Sequence, residues 1–302
     1  MIECICFHLH FKMPSQQQIE LCSGQKMVQP IRSLIHQPEW LNTLHPQWPK
    51  NVRILMSTRL GGYSSGVYAS LNLGEHVGDD PLLVLKNRER YQQLTNCQIV
   101  YLNQVHDSKV LKLDPSIPHS VKADACVSTF AGLACTIMVA DCLPILITNS
   151  SGTIVGAAHA GWRGLAGIGC EGGQDVVENL LESLTNLVLK SGSKDLNWLA
   201  WLGPCIGPKH FEVGEDVREA FRCDLESSAH FTPCPLEGEK KWKANLVGLA
   251  QSKLKQKGVK TILGNEVDIY NDRWCTFSNS ELFFSHRRDK TSGRMAASIW
   301  MI

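Results

Sequence analysis

Three residues in this chain of 302 have side chains suited to bind a metal ion, or to attack an electrophile, together. They are His106 in YLNQVHD (101–107), Cys142 in ADCLPIL (140–146) and His159 in AAHAGWRG (157–164). Two imidazoles and a thiolate supply three ligands and leave a fourth position open, the pattern of a catalytic zinc site. The same thiol and imidazole could instead pair as nucleophile and general base. The plain alternative is a core thiol beside a hydrogen-bonded histidine. Asp141 adds a charge next to the thiol, and Gly161-Trp162-Arg163-Gly164 sets a cation in a flexible loop after the second imidazole.

The elements that must position these groups can be read from the same stretch. Cys142 and His159 sit at the outer ends of two apolar runs joined by Asn149-Ser150-Ser151-Gly152, a hairpin pattern. A turn centred between Ser150 and Ser151 makes opposed residue numbers sum to 301, which sets Cys142 directly across from His159. That pair and Pro144 then fall at non-hydrogen-bonded positions, where Cα atoms are about 4.5 Å apart. His106 arrives from a separate strand end.

Further strands are expected at 52–58, 99–102, 110–113, 124–129, 133–140, 198–202, 261–264, 281–286 and 297–302. Asp79-Asp80-Pro81 predicts a helix start, followed by the apolar residues Leu82, Leu85 and Leu94. A longer helix over 175–190 carries Val176, Leu180, Leu184, Leu187 and Val188 on one face, and helices are expected near 214–222 and 244–256. Strands that come in consecutive pairs, with helices between them, favour an α+β fold with mixed sheets over a doubly wound parallel sheet. No linker divides the chain. The expected organisation is a loosely ordered extension over residues 1–27 and a single catalytic domain over 28–302.

Composition narrows the function classes. Thirty Lys+Arg against 29 Asp+Glu give a net charge of +1, so no bulk field favours nucleic acid or an anionic membrane. No run approaches the roughly 18 apolar residues of a membrane span, and the N-terminus lacks the basic start of a signal peptide. Several of the 12 cysteines lie inside apolar runs, and no CxxC pair occurs, which points to free thiols and a cytoplasmic location.

The motifs also carry a family resemblance. STRLGGYSSGVYASLNLGEHVGDD (57–80), YLNQVHDSKV, KADACVS (122–128), ADCLPIL, AAHAGWRG, WLGPCIGPKHFEVGEDV (201–217) and FFSHRRDKTSGRMAASIW (283–300) resemble the YfiH-like proteins. These are variously called laccase-domain proteins, polyphenol oxidases, peptidoglycan editing factors and purine nucleoside phosphorylases. The resemblance runs from about residue 39 to 302. It implies mixed sheets packed in α/β/β/α layers and a metal, usually zinc and sometimes copper, on His106, Cys142 and His159. Asp107, where the family typically has Gly, and His286, where Tyr is common, depart from its pattern.

The implied activity is phosphorolysis of purine nucleosides (adenosine, inosine, guanosine, methylthioadenosine), with inorganic phosphate as co-substrate and adenosine deamination alongside. A metal that activates water suits attack at C6 of adenine, with Cys142 and His159 at the reacting centre and Asp141 moving protons. Arg59 and Arg163, in Gly-flanked loops, are expected to clamp phosphate, while Asn72 and Gln104 read ribose or base. Two rival readings are a cysteine hydrolase acting on peptidoglycan precursors and a weak single-copper phenol oxidase. A multicopper laccase needs about ten His/Cys ligands, and the one HxH motif here, His8-Leu9-His10, lies outside the matching region.

Overall fold

The computed structural model describes residues 47–302 apart from 171–172, 223–224, 235–239 and 266–271. The expected extension over 1–27 lies outside the described residues. In chain order the elements are β1 (Val52–Met56), α1 (Pro81–Thr95), β2 (Gln98–Val100), β3 (Val110–Lys112), β4 (Ala125–Ser128) and β5 (Leu133–Val139). Next come β6 (Leu143–Asn149), β7 (Val155–Ala160), α2 (Trp162–Ala166), α3 (Val176–Lys190) and β8 (Trp198–Leu202). They continue with β9 (Glu212–Gly214), α4 (Glu215–Glu219), α5 (Leu225–Ser228), β10 (Phe231–Pro233), β11 (Lys241–Ala244) and α6 (Leu246–Gln256). The last three are β12 (Thr261–Gly264), α7 (His286–Asp289) and β13 (Met295–Met301).

Two mixed sheets stack face to face. One runs β1-β13-β5-β2, the other β12-β8-β6-β7-β4-β3, and a small sheet β10-β11-β9 stands apart. Strands β5, β6 and β7 are buried at every position, so both faces of each sheet must be covered. Between the sheets lie Ile137, Val139, Leu146, Trp201 and Ile299. Outside the larger sheet, α3 and α6 bury Leu180, Leu184, Leu249 and Leu254. Outside the smaller one, α1 covers Tyr91 and Ile99. The layers are therefore α/β/β/α in an α+β fold. Each fully buried Leu or Ile here contributes about 1.5–3 kcal/mol relative to exposure.

Helix α3 follows its expected pattern. Asp175 caps it by accepting from Val177 N and Glu178 N, and Val176, Leu180, Leu184 and Val188 are buried. Helix α1 starts as expected on Asp80 and Pro81, but its buried stripe is Val84, Asn87, Tyr91 and Thr95. Leu82, Leu85 and Leu94 face solvent. Polar partners reverse the face: Asn87 donates to Ser64 Oγ and Asn72 O, and the Tyr91 hydroxyl meets Ser298 Oγ.

Two further expectations are corrected. The hairpin register sums to 303, with Pro144 opposite His159, because Gly152, Thr153 and Ile154 extend the turn. Asn149 stabilises that longer turn, accepting from Thr153 N and donating to Ser151 Oγ. The slip moves one strand by two residues, so Cys142 and His159 still share a face. Residues 281–286 form no strand. Ser285 caps the short helix α7, and the Arg288 guanidinium ties it to the carbonyls of Thr276, Phe277 and Phe283.

Candidate active site

Asp124 organises the site. It immediately precedes β4, has no exposed surface, and gathers four N–H donors onto one carboxylate. Val105 N and Asp107 N donate to Oδ2, and His106 N and His159 Nδ1 donate to Oδ1, at 2.8–2.9 Å. Its backbone carbonyl also accepts from His159 N. Burial alone would raise its pKa, but the His159 hydrogen bond and charge and the backbone donors win and hold it low. The same donors hold His106 in the left-handed region at φ 63°, a conformation non-glycine residues avoid.

The loop that Asp124 grips presents the His106 ring edge-on to that of His159, with centroids 4.8 Å apart. Cys142 Sγ lies 3.9 Å from His106 Nε2. The three ligand atoms all fall within 4.8 Å of one another. They come from the β2–β3 loop, the crossover from β5 to β6, and β7. Gly161, which would stand opposite Cys142 if the register continued, leaves the space open. A Cβ there would lie 3.1 Å from Sγ and 3.3 Å from His106 Cδ2.

Burial would raise the Cys142 thiol, yet the His159 charge and hydrogen bonds from His106 and His159 outweigh it and lower it to about 6. Burial would lower His159, but the thiolate and Asp124 raise it to about 10. Each group thus favours the charged form of the other, a thiolate beside an imidazolium, when no metal is bound. The donor set fits a zinc-type ion: soft sulfur and two imidazoles converge at a reach compatible with bonds of about 2.0–2.3 Å. The Asp124–His159 bond supplies the carboxylate–histidine support such ligands use, leaving Nε2 for the ion. Among the described residues this is the one group of three or more His, Cys, Asp or Glu side chains able to hold a metal.

The triad opens into a cavity of about 360 Å³. Arg163 is exposed on its wall, stacked on Trp162 with 4.4 Å from guanidinium to ring. Gln104 also lines it, but its amide pairs with Met138 N and O and so extends the edge of β5. Asp141 lines it at φ 97°, one carboxylate oxygen accepting from Thr276 Oγ1 and the other from Arg287 N. Arg59 and Asn72 lie outside the lining. Arg59 bonds the carbonyls of Ala69 and Ser280, and its guanidinium sits over Phe284. Asn72 is buried and bonds Gly74, Asp79 and Arg294 N. In both, the residue type suggested binding while the fold uses it to brace loops.

The sequence assigned no site role to Asp124, the central acceptor, or to the wall residues His76, Phe211 and Arg294. An aspartate isolated ahead of the apolar run Ala125–Val127 was the available signal for the first. Of the two departures from the family pattern, His286 lines the cavity, while Asp107 donates its backbone N–H to Asp124. The described cysteines are free thiols, and no helix among the described residues is long and apolar enough to cross a membrane.

Comparison with known proteins agrees with this architecture. The family described as "Multi-copper polyphenol oxidoreductase laccase" matches residues 53–302. Purine nucleoside phosphorylase YfiH of Escherichia coli is 45% identical over 262 residues, covering 85% of this chain and 98% of its own length. A Pseudomonas aeruginosa purine nucleoside phosphorylase is 41% identical over 85% of this chain and 98% of its own. The crystal structure of a Neisseria meningitidis protein superposes with a TM-score of 0.73 at 40% identity, covering 84% of this chain and 96% of that one. Geobacillus stearothermophilus YlmD superposes with a TM-score of 0.69 at 30% identity, covering 85% and 94%. With the family match running over residues 53–302 and the curated relatives covered over 98% of their own length, the chain belongs to the YfiH-like family.

Proposed function

We propose that this protein is an enzyme, a metal-dependent purine nucleoside phosphorylase that takes adenosine, inosine, guanosine and methylthioadenosine and also deaminates adenosine. One observation carries the reading. A chain 45% identical to named purine nucleoside phosphorylases brings His106, Cys142 and His159 together on a cavity of about 360 Å³. That volume lies in the range of small-molecule sites.

In this reading His106, Cys142 and His159 hold zinc, with copper as the alternative occupant. A metal there supplies Lewis-acid polarisation of a substrate atom. Phosphorolysis forms a C1′–O bond to phosphate as the C1′–N9 bond breaks, and the departing purine takes up a proton. Arg163 offers a guanidinium to the phosphate. Ile206, Phe211 and Leu246 provide an apolar wall for a planar base. Asp141, whose carboxylate oxygens accept from Thr276 Oγ1 and Arg287 N, holds the turn that carries Cys142 and is the residue placed to move protons in this reading.

The test is incubation of purified protein with adenosine and phosphate. Adenine, ribose 1-phosphate and inosine should appear, and should be lost in Cys142→Ala. Absence of free base, pentose 1-phosphate and deaminated nucleoside with every nucleoside tried rejects the reading. The thiolate–imidazolium pair keeps a second reading in view, a cysteine hydrolase. Stoichiometric metal on active protein favours the phosphorylase; a covalent substrate adduct at Cys142 in metal-free, active protein favours the hydrolase.

A further inference from the structure

Arg294 is a largely buried guanidinium on the cavity wall that keeps donors beyond its protein contacts. It precedes β13, and most of its side chain is withdrawn from water. Among the described residues all of its side-chain hydrogen bonds leave from Nη1, to Ser292 O and Oγ and Gly293 O. Among the described residues no carboxylate forms an ion pair with it. Nε and Nη2 therefore keep their donors, in a wall that also holds Cys142.

The fold fixes this side chain firmly. Asn72 Oδ1 accepts from Arg294 N and from Gly74 N, which locks β13 to the loop before α1. The aliphatic stem packs on Gly74, where even a Cβ would come within 2.8 Å of Arg294 Cγ. Two residues on, His76 faces the same cavity, and its ring makes no hydrogen bond among the described residues. Burial, then the positive charges of Arg294 and Arg88, depress the His76 pKa, so the imidazole sits within the field of the Arg294 guanidinium. The single carboxylate on the cavity wall, Asp141, already accepts from Thr276 and Arg287.

A partly buried guanidinium with no carboxylate in direct contact, balanced only at a distance by the Cys142 sulfur and Asp141, is costly. Its fork suits a tetrahedral oxyanion, which two N–H groups can grip side by side. We infer that Arg294, with His76 beside it, forms an oxyanion subsite that seats inorganic phosphate in the same cavity as the His106–Cys142–His159 triad. Arg59, a sequence-based choice for this task, is spent on loop carbonyls. The inference rests on the phosphorylase reading for its catalytic consequence, but the anion site stands without it.

Two measurements on the purified full-length protein separate the possibilities. Isothermal titration with inorganic phosphate reads the subsite directly, without catalysis. Arg294→Gln should weaken phosphate binding by about tenfold to a hundredfold, the loss of charge-assisted hydrogen bonds. Arg294→Lys, which keeps the charge but not the fork, should fall between, and the surface control Arg53→Gln should match wild type. If Arg294→Gln fails to fold, Arg294→Lys carries the test through the same titration. In steady-state assays with adenosine the phosphate KM should rise in step while the nucleoside KM moves less than about threefold. Wild-type phosphate affinity in the folded Arg294 variants overturns the subsite. Phosphate binding that depends on Arg294 in a protein that cleaves no nucleoside overturns the phosphorylase reading and leaves the subsite standing.

Discussion

The carboxylate of Asp124 meets the imidazole of His159 at 2.8 Å, and both groups are almost fully buried. The same carboxylate holds the backbone of the loop carrying His106. One side chain therefore sets the orientation of two of the three metal-type ligands. Asparagine at this position offers one acceptor oxygen and turns an amide N–H toward N–H donors. Asp124→Asn should lower zinc affinity by about 10–100-fold, the usual consequence of losing a carboxylate that supports a ligand histidine. Competition with a chromophoric chelator measures this; unchanged affinity would show that the carboxylate does not orient the site.

The same substitution has a pH signature. Folding holds Asp124 below its unfolded value, so its contribution is present above about pH 4 and is lost as pH falls through the folded pKa. Asp124→Asn should cost about 2–4 kcal/mol near neutral pH, from buried donors left unpaired. The gap between wild type and variant should narrow on acidification. Urea denaturation at several pH values tests this, and a gap that widens in acid contradicts the sign.

Cys142 should stand out chemically in metal-free protein. Its thiol is held down to about 6, whereas burial pushes Cys97 up to about 11 and raises Cys135 and Cys205. Iodoacetamide should therefore label Cys142 selectively at pH 7, since the thiolate is the nucleophile. The rate should level off above pH 7 and fall about tenfold per unit below pH 6. His159 carries a proton in this state, so added zinc should both release protons and block labelling. A labelling midpoint near that of a free thiol, about 8.5, would count against the ion pair.

The triad was legible because its three segments end apolar strand-like runs, where polar residue types are conspicuous. Helix α3 was legible because Asp175 caps a stripe of Val and Leu at helical spacing. The register was not: whether a turn at Asn149–Gly152 closes tightly or runs on through Ile154 depends on side-chain bonds of Asn149 and Thr148 to the turn itself. Arg59 and Asn72 have side chains fit for ligands, and only the fold shows them bonded to loop groups outside the cavity lining. Asp124 stood in a quoted motif, but its four partners come from segments up to 35 residues away.

Helix α1 turns that lesson into a stability prediction. Its leucines have the expected spacing but face water, while Asn87 and Tyr91 are buried through hydrogen bonds. Leu85→Gln should change stability by no more than about 0.5 kcal/mol, as for an ordinary surface site. Leu180→Ala in α3 should cost about 2–5 kcal/mol, because it empties a filled core position. Equal costs in denaturant titrations would mean that α1 docks by its leucine face.

Gly161 isolates the space requirement of the site from its chemistry. Its φ of −76° and ψ of 167° are open to any residue, so alanine strains no backbone. Its added methyl would nevertheless stand 3.1 Å from Cys142 Sγ and 3.3 Å from His106 Cδ2, with both groups rigidly held. Gly161→Ala should therefore retain stability within about 1 kcal/mol, the usual scale of a mild steric change. Its metal content and nucleoside turnover should fall at least about tenfold, as a displaced sulfur or ring no longer converges with its partners. Metal analysis and turnover on the same preparation, beside its thermal melt, separate the effects. A folded Gly161→Ala protein with full metal content and full activity would show that the triad has room to spare, and that the glycine opposite Cys142 serves only the turn into α2.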